Sequence, residues 1–211
     1  MQAQPITVRN LTCERDERLL FSGMDFAVNP GEVLQVAGPN GTGKTSLLRI
    51  LAGLMPATDG DVCYAGDSVF SLAGRERWQR ERLFIGHEPA VKASLTPEEN
   101  LAWLCALSSP VSRKAIWQAL EGLGLRGFED VPCQQLSAGQ KRRVALARLY
   151  LQAEPVWILD EPFTAIDREG VVSMERHVLA HAEAGGSVIL TTHHSLDHLP
   201  QVRRLDLQQV A

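Results

Sequence analysis

The chain predicts an α/β fold with a mainly parallel sheet at its core, an antiparallel β part near the N-terminus and a helical subdomain in its second half. Three observations lead there. Short apolar runs suited to buried parallel strands, residues 32–37 (EVLQVA), 155–160 (PVWILD) and 187–192 (SVILTT), are separated by segments of helical periodicity. Two runs of period-2 alternation, residues 6–13 and 19–28, come first and read as paired strands. From about residue 91 to 152, capped helix patterns follow one another. The expected division is an α/β core at 1–90 and 153–211, with a helical subdomain at 91–152.

In chain order, the first two strands are joined by the polar turn 14–18, and Asn29-Pro30-Gly31 makes a second turn. After the strand 32–37 and a glycine-rich loop, residues 46–54 carry apolar residues at helical spacing and stop at Gly53 and Pro56. Residues 61–64 and 82–86 read as strands flanking a charged helix at 72–81. Thr96 is a helix N-cap, Pro97 takes the first helical position, and Glu98 and Glu99 suit the first turn, so a helix runs to about Leu107. Ser112 caps a further helix to Leu123, residues 124–132 form a loop, and 141–151 is helical. A helix at 168–184 and a short last strand at 203–207 complete the pattern.

A length of 211 residues suits one medium domain, with 45% apolar and 22% charged residues. The net charge of −4 argues against a general nucleic-acid binder, because no basic excess is present to neutralise phosphates. Lys141-Arg142-Arg143 reads as a solvated helix face. No run approaches the roughly 18 apolar residues needed to cross a bilayer. The N-terminal residues lack the basic and apolar regions of a signal peptide. The expectation is a cytoplasmic chain whose membrane role, if any, needs a separate subunit. Cys13, Cys63, Cys105 and Cys133 have no metal spacing and read as isolated buried thiols in a reducing compartment. His177 and His181 lie one helical turn apart without a third ligand, which favours a packed or solvated helix face over a metal pair.

The chemistry centres on Gly38-Pro39-Asn40-Gly41-Thr42-Gly43-Lys44-Thr45, with Ser46 behind it, a G-x-x-x-x-G-K-T phosphate-binding loop. It sits between a strand and a helix, where backbone N–H groups and the helix N-terminus converge on an anion. Lys44 is placed to reach the β- and γ-phosphates of a nucleotide, and the Thr45 hydroxyl to hold Mg²⁺. The run Val156-Trp157-Ile158-Leu159-Asp160-Glu161 ends in two acids. Asp160 suits Mg²⁺, directly or through water, and Glu161, one residue beyond, can orient the attacking water. Leu136-Ser137-Ala138-Gly139-Gln140 offers small residues, a hydroxyl and N–H groups at a second helix N-terminus. Two copies of the chain arranged head-to-tail would use both ends on one nucleotide. His193 follows the strand 187–192 and is placed to meet a γ-phosphate; His194 beside it is the weaker choice.

Together these motifs resemble the ATP-binding cassette family over nearly the whole chain. They appear in family order: Walker A at 38–45, signature at 136–140, Walker B at 156–161, a D-loop at 164–167 including Asp167, and an H-switch at His193. The resemblance implies an ABC-type P-loop ATPase that hydrolyses ATP with Mg²⁺ as a dimer coupled to membrane subunits, Glu161 acting as catalytic base and His193 as γ-phosphate sensor. Three positions depart from the family. Ala138 stands where the signature usually has glycine. Arg15 stands near the usual adenine-stacking aromatic, and a guanidinium also stacks on a base. His87, with Glu88 beside it, stands at the Q-loop glutamine. Residues 13–18, 85–89, 127–132 and 162–167 resemble the branch of the family that serves c-type cytochrome biogenesis. That resemblance implies an integral membrane partner of the CcmB type, further cytochrome c maturation membrane proteins, a peripheral place on the cytoplasmic side of the bacterial inner membrane, and a role in haem export or release of a haem-loaded chaperone. The alternative within the family is the ATPase of another small exporter. DNA-repair cassettes need a long coiled-coil insertion, ribosomal ones two cassettes per chain, and P-loop nucleotide kinases have no use for the 137–140 helix end.

Overall fold

The computed structural model describes residues 2–106 and 109–208. The chain forms two compact units: Met1–Phe84, Glu154–Glu161 and Glu175–Ala211 make the first, Ile85–Ala153 and Pro162–Met174 the second. The second unit therefore begins before residue 91 and takes in the segment after Glu161, unlike the continuous insertion expected at 91–152.

In the first unit, β1 (Ile6–Arg15) and β2 (Arg18–Val28) form a hairpin that joins β4 (Asp59–Tyr64) and β5 (Asp67–Ser68) in an antiparallel sheet of order β2-β1-β4-β5. The hairpin turn is tighter than the expected 14–18. Asp16 and Glu17 both have positive φ, 50° and 60°, so two residues suffice and Arg15 pairs with Arg18. Two left-handed residues match the right-handed twist of the flanking strands.

The second sheet has the order β6-β7-β8-β3-β9. Its strands are β3 (Val33–Ala37), β6 (Arg82–Ile85), β7 (Val156–Asp160), β8 (Ser187–Thr191) and β9 (Val202–Asp206). The β3–β8, β3–β9 and β7–β8 pairs are parallel. Every residue of β3, β7 and β8 is buried, which is why these runs read as continuously apolar rather than alternating. Helix α1 (Lys44–Leu51) buries Leu47, Leu48, Ile50 and Leu51 in the same core as Val8, Leu34 and Ile158. Truncating one of these leucines to alanine costs about 2–5 kcal/mol. Helix α2 (Leu72–Glu81) starts where Ser71 accepts the Gly74 N–H, and its Trp78 donates to the Leu51 carbonyl and packs on Tyr64 at 4.6 Å.

In the second unit, α3 (Pro97–Ala106) opens with a reciprocal capping box between Thr96 and Glu99. Its expected end near Leu107 lies outside the described residues. Asn100, 1% exposed, ties α3 to the preceding loop through the Lys92 backbone N–H and carbonyl. Helix α4 (Arg113–Gly122) is capped by Ser112. Helix α5 (Ala138–Leu146) begins three residues earlier than the expected 141 and gives way to a 3₁₀ turn at Ala147–Tyr150. Ser137 and Gln140 form a capping box, which draws the start back to Ser137. Helix α6 (Arg168–Glu183), of which the part up to Met174 belongs to this unit and the part from Glu175 to the first, follows Asp167, whose carboxylate accepts the Gly170 N–H.

Among the described residues no helix is long and apolar enough to cross a membrane. Cys13, Cys105 and Cys133 are buried thiols, whereas Cys63 is only half-buried because it lies on β4 beside Asp61.

Candidate active site

The phosphate end is built in the first unit. The loop from Gly38 to Gly43 leaves β3 and enters α1 with Gly38, Gly41 and Gly43 at positive φ. Glycine is required at two of them. A Cβ on Gly38 would lie 2.6 Å from the Leu207 carbonyl oxygen, and one on Gly43 would lie 3.0 Å from Leu20 Cβ. Gly43 is the N-cap of α1 and no side chain caps that end. Thr42, 1% exposed, donates its hydroxyl to the Pro39 carbonyl and so braces the loop from inside. Lys44 Nζ donates to the Gly38 carbonyl (2.7 Å) and the Pro39 carbonyl (2.9 Å), which holds the ammonium over the loop's own concavity.

Asp160 and Glu161 stand at the C-terminal end of β7, the edge at which parallel sheets bind ligands. Asp160 is 2% exposed and pairs in register with Thr191 of β8, whose hydroxyl donates to Asp160 Oδ1 at 2.7 Å. The backbone N–H of Glu161 donates to the Thr191 carbonyl and hydroxyl oxygens, both at 3.1 Å. Glu161 takes φ 55°, a left-handed conformation that costs a non-glycine residue about 1–2 kcal/mol and that these Thr191 contacts hold in place. Its carboxylate accepts the His193 backbone N–H (3.1 Å), and the His193 ring nitrogen Nε2 lies 3.7 Å away. A cleft of about 670 Å³ brings Gly38 and Pro39 of the loop to Thr192 and His193. The first unit thus places Asp160, Glu161 and His193 beside one another through Thr191 and the His193 N–H, with Gly38 and Pro39 of the loop sharing a cleft with His193.

Thr45 is half-buried in the first turn of α1. With Asp160 it supplies a hydroxyl and a carboxylate, a set of hard oxygen donors that fits Mg²⁺. Arg15 is less free than the sequence implies: its Nη2 donates to the Pro56 carbonyl at 2.7 Å. The arginine beside the loop is Arg18, whose Nη1 would lie 3.9 Å from a Cβ on Gly41.

The second unit carries the remaining motif residues. His87 and Glu88 are exposed and line a cleft of about 390 Å³ with Ala138, Lys141, Thr164 and Ala165. Buried Arg142 donates to the Gly86 and His87 carbonyls, so the backbone at His87 is clamped to α5. Ser137 accepts the Gln140 N–H at 3.2 Å and donates its own N–H to Gln140 Oε1 at 2.8 Å. Gly139 packs against the 162–167 segment, a Cβ there lying 3.2 Å from the Ala165 carbonyl oxygen. Asp167 is engaged as the cap of α6.

Thr191 and Arg142 were not singled out from the sequence. Thr191 works through register with a residue 31 positions away, and Arg142 reads as part of a solvated basic cluster. The available signal was its place one turn into the helix that follows the Ser137–Gln140 capping box. His181 is no ligand candidate: it stacks on Trp157 at 3.7 Å with planes 10° apart, and its Nε2 bonds the Pro155 carbonyl.

A family model described as ABC transporter matches residues 21–164. The chain is 58% identical over 198 residues to the cytochrome c biogenesis ATP-binding export protein CcmA of Pseudomonas fluorescens, covering 93% of each chain. To the protein of the same name from Pseudomonas putida it is 57% identical, covering 95% of each. Among solved structures it superposes on an ATP-binding cassette described as a dimer in a post-hydrolysis state bound to ADP and Pi, with TM-score 0.82, 21% identity and 97% of each chain covered. At that identity the structural likeness speaks for the fold alone.

Proposed function

Because the chain belongs to the ABC transporter family, in the branch of the cytochrome c biogenesis ATP-binding export proteins, we propose that it is the ATP-hydrolysing subunit of a membrane complex for c-type cytochrome maturation, where turnover drives haem export or release of a haem-loaded chaperone. The observation that carries the chemical part of this reading is the geometry at the end of β7. Glu161 is held by Thr191 and by the N–H of His193, and His193 lines a cleft together with Gly38 and Pro39 of the phosphate loop.

In the proposed mechanism, Lys44 and the loop N–H groups bind the β- and γ-phosphates. Thr45 and Asp160 would hold Mg²⁺, which when bound neutralises charge on the phosphate oxygens. Glu161 accepts a proton from the attacking water. His193 donates to the γ-phosphate, and its backbone N–H aims the Glu161 carboxylate. Ser137 and Gly139 of a second copy close the site from the opposite side, in a head-to-tail pair. Arg15 stacks on the adenine, and His87 relays the state of the site to the membrane subunit.

The proposed docking surface for that subunit, CcmB-like, spans His87 to Trp103. Trp103 is 46% exposed under the Lys92 ammonium at 3.9 Å, while Leu101 is fully buried and belongs to the core of the unit. Exposed aromatic residues are enriched where interfaces bury them. The proposed location is peripheral, on the cytoplasmic face of the inner membrane.

The test is phosphate release by the full chain, alone and in membranes containing the partner. Wild type is expected to hydrolyse ATP weakly alone and faster with the partner. Glu161→Gln is expected to bind ATP and release almost no phosphate; turnover by that variant at the wild-type rate removes Glu161 as base. Trp103→Ala and Val91→Asp are expected to lose membrane recruitment with nucleotide binding intact, and full recruitment of both would move the docking site elsewhere.

A further inference from the structure

His193 has an exposed side chain, with 67% of its surface open, so its position depends on the loop that carries it. That loop, between β8 and β9, is tied to α6 at two points by a single carboxylate. Glu175 has a side chain only 8% exposed, and its two oxygens are divided between two imidazoles. Oε1 bonds His194 Nε2 at 2.9 Å, and Oε2 bonds His198 Nε2 at 3.2 Å. The two rings meet edge-on, 6.3 Å apart. Between them Leu196, 3% exposed, anchors the loop in the core, and Ser195 and Asp197 bond one another across the turn. On the other side of His193, the His194 N–H donates to Thr192 Oγ1 at 2.9 Å. The His193 N–H then points at Glu161 Oε2.

We propose that Glu175, acting through His194 and His198, is a positioning residue for ATP hydrolysis: it staples the loop so that His193 keeps its N–H on Glu161 and its ring at the γ-phosphate. Burying a carboxylate is unfavourable unless hydrogen bonds repay the lost hydration. Here the donors come from the loop next to the reacting groups, and a leucine at 175 would fill the same space without holding either imidazole. Glu175 touches no substrate atom in this scheme. Its effect passes through His193, so it should appear in turnover and not in nucleotide affinity.

The inference rests on the ATPase reading, and the experiment separates the two. Steady-state ATP hydrolysis is measured on the full chain for wild type, Glu175→Leu, Glu175→Gln, His194→Leu and His193→Ala, together with Glu175→Leu in the His193→Ala background. Misplacing a reacting group by an ångström costs up to about 100-fold, so Glu175→Leu is expected to lower kcat by about 10- to 100-fold with KM for ATP within about twofold of wild type. His194→Leu should lower kcat in the same direction, and Glu175→Gln, which keeps one acceptor oxygen, should recover part of the loss. In the His193→Ala background Glu175→Leu should lower kcat no further, since contacts acting through one residue are non-additive. An unchanged kcat in Glu175→Leu, or an equal loss with and without His193, overturns the proposal. Should Glu175→Leu fail to fold, the exposed His194→Leu carries the same comparison with His193→Ala. Absence of hydrolysis by wild type, alone and with membranes, would overturn the ATPase reading itself.

Discussion

Two helix N-termini in this chain look alike in sequence and are built differently. The end of α1 follows a glycine at φ 95° and has no side-chain cap. The end of α5 follows Ser137, which closes a reciprocal capping box with Gln140. An uncapped end leaves its first N–H groups to an outside acceptor, while a capping box satisfies part of them within the chain. The α1 end thus keeps its first N–H groups open to an acceptor from outside the chain. The α5 end is ordered by its own capping box, which leaves fewer of its N–H groups open. The comparison explains why one end needs three positive-φ glycines and a lysine, and the other only small residues and a cap.

The contrast can be broken most severely at Lys44. Lys44→Ala removes both the charge at the phosphates and the tie to the Gly38 and Pro39 carbonyls. Charged hydrogen bonds contribute about 1.5–3 kcal/mol each, so ATP affinity should fall roughly 10- to 100-fold by titration calorimetry. Unaltered affinity would mean that the α1 end does not bind phosphate.

Ser137→Ala should act differently. It removes the cap, which costs about 1 kcal/mol of stability, and it should lower hydrolysis while leaving ATP binding by a single copy unchanged. Equal losses of binding in Ser137→Ala and Lys44→Ala would erase the distinction between the two ends.

Arg15 gives a smaller effect. Stacking of a cation on an aromatic system is worth about 0.5–2 kcal/mol, so Arg15→Ala should weaken ATP by that amount and Arg15→Tyr should restore it. The Pro56 contact competes for the guanidinium, and if Arg18→Ala weakens ATP while Arg15→Ala does not, the base lies against Arg18.

The smallest effect lies away from both ends. Burial beside Trp157 holds the His181 pKa below its usual value of 6.5, outweighing the Pro155 contact. The unfolded chain therefore takes up the proton first as pH falls, so the stability from the neutral ring is present above about pH 6.5 and is lost below it. Thermal melts should show that slope in wild type and a shallower one in His181→Phe.

The sequence makes some of this legible and hides the rest for physical reasons. The phosphate loop and the acids at the end of β7 are local patterns, readable because strand, turn and helix follow one another within a few residues. Ser112 and Thr96 announce helix starts for the same reason. The hairpin turn is misjudged because nothing in Asp16-Glu17 requires left-handed backbone; the register of β1 on β2 imposes it. The start of α5 is missed by weighing apolar spacing above the Ser137–Gln140 capping box. Thr191 and Glu175 are invisible in a different way. Each matters through a partner 19 to 31 residues off, fixed only when β8 pairs with β7 and the following loop meets α6.

The central claim is that one nucleotide is shared between the α1 end of one copy and the α5 end of another. Sedimentation of the Glu161→Gln chain with ATP and Mg²⁺ tests it most directly, with Ser137→Glu added in a second sample. An acid at an N-cap is compatible with the helix but repels phosphate. The expected result is a dimer for Glu161→Gln and a monomer that still binds ATP for the double variant. A dimer of the same stability in both, or a monomer in both with ATP bound, would contradict the shared site.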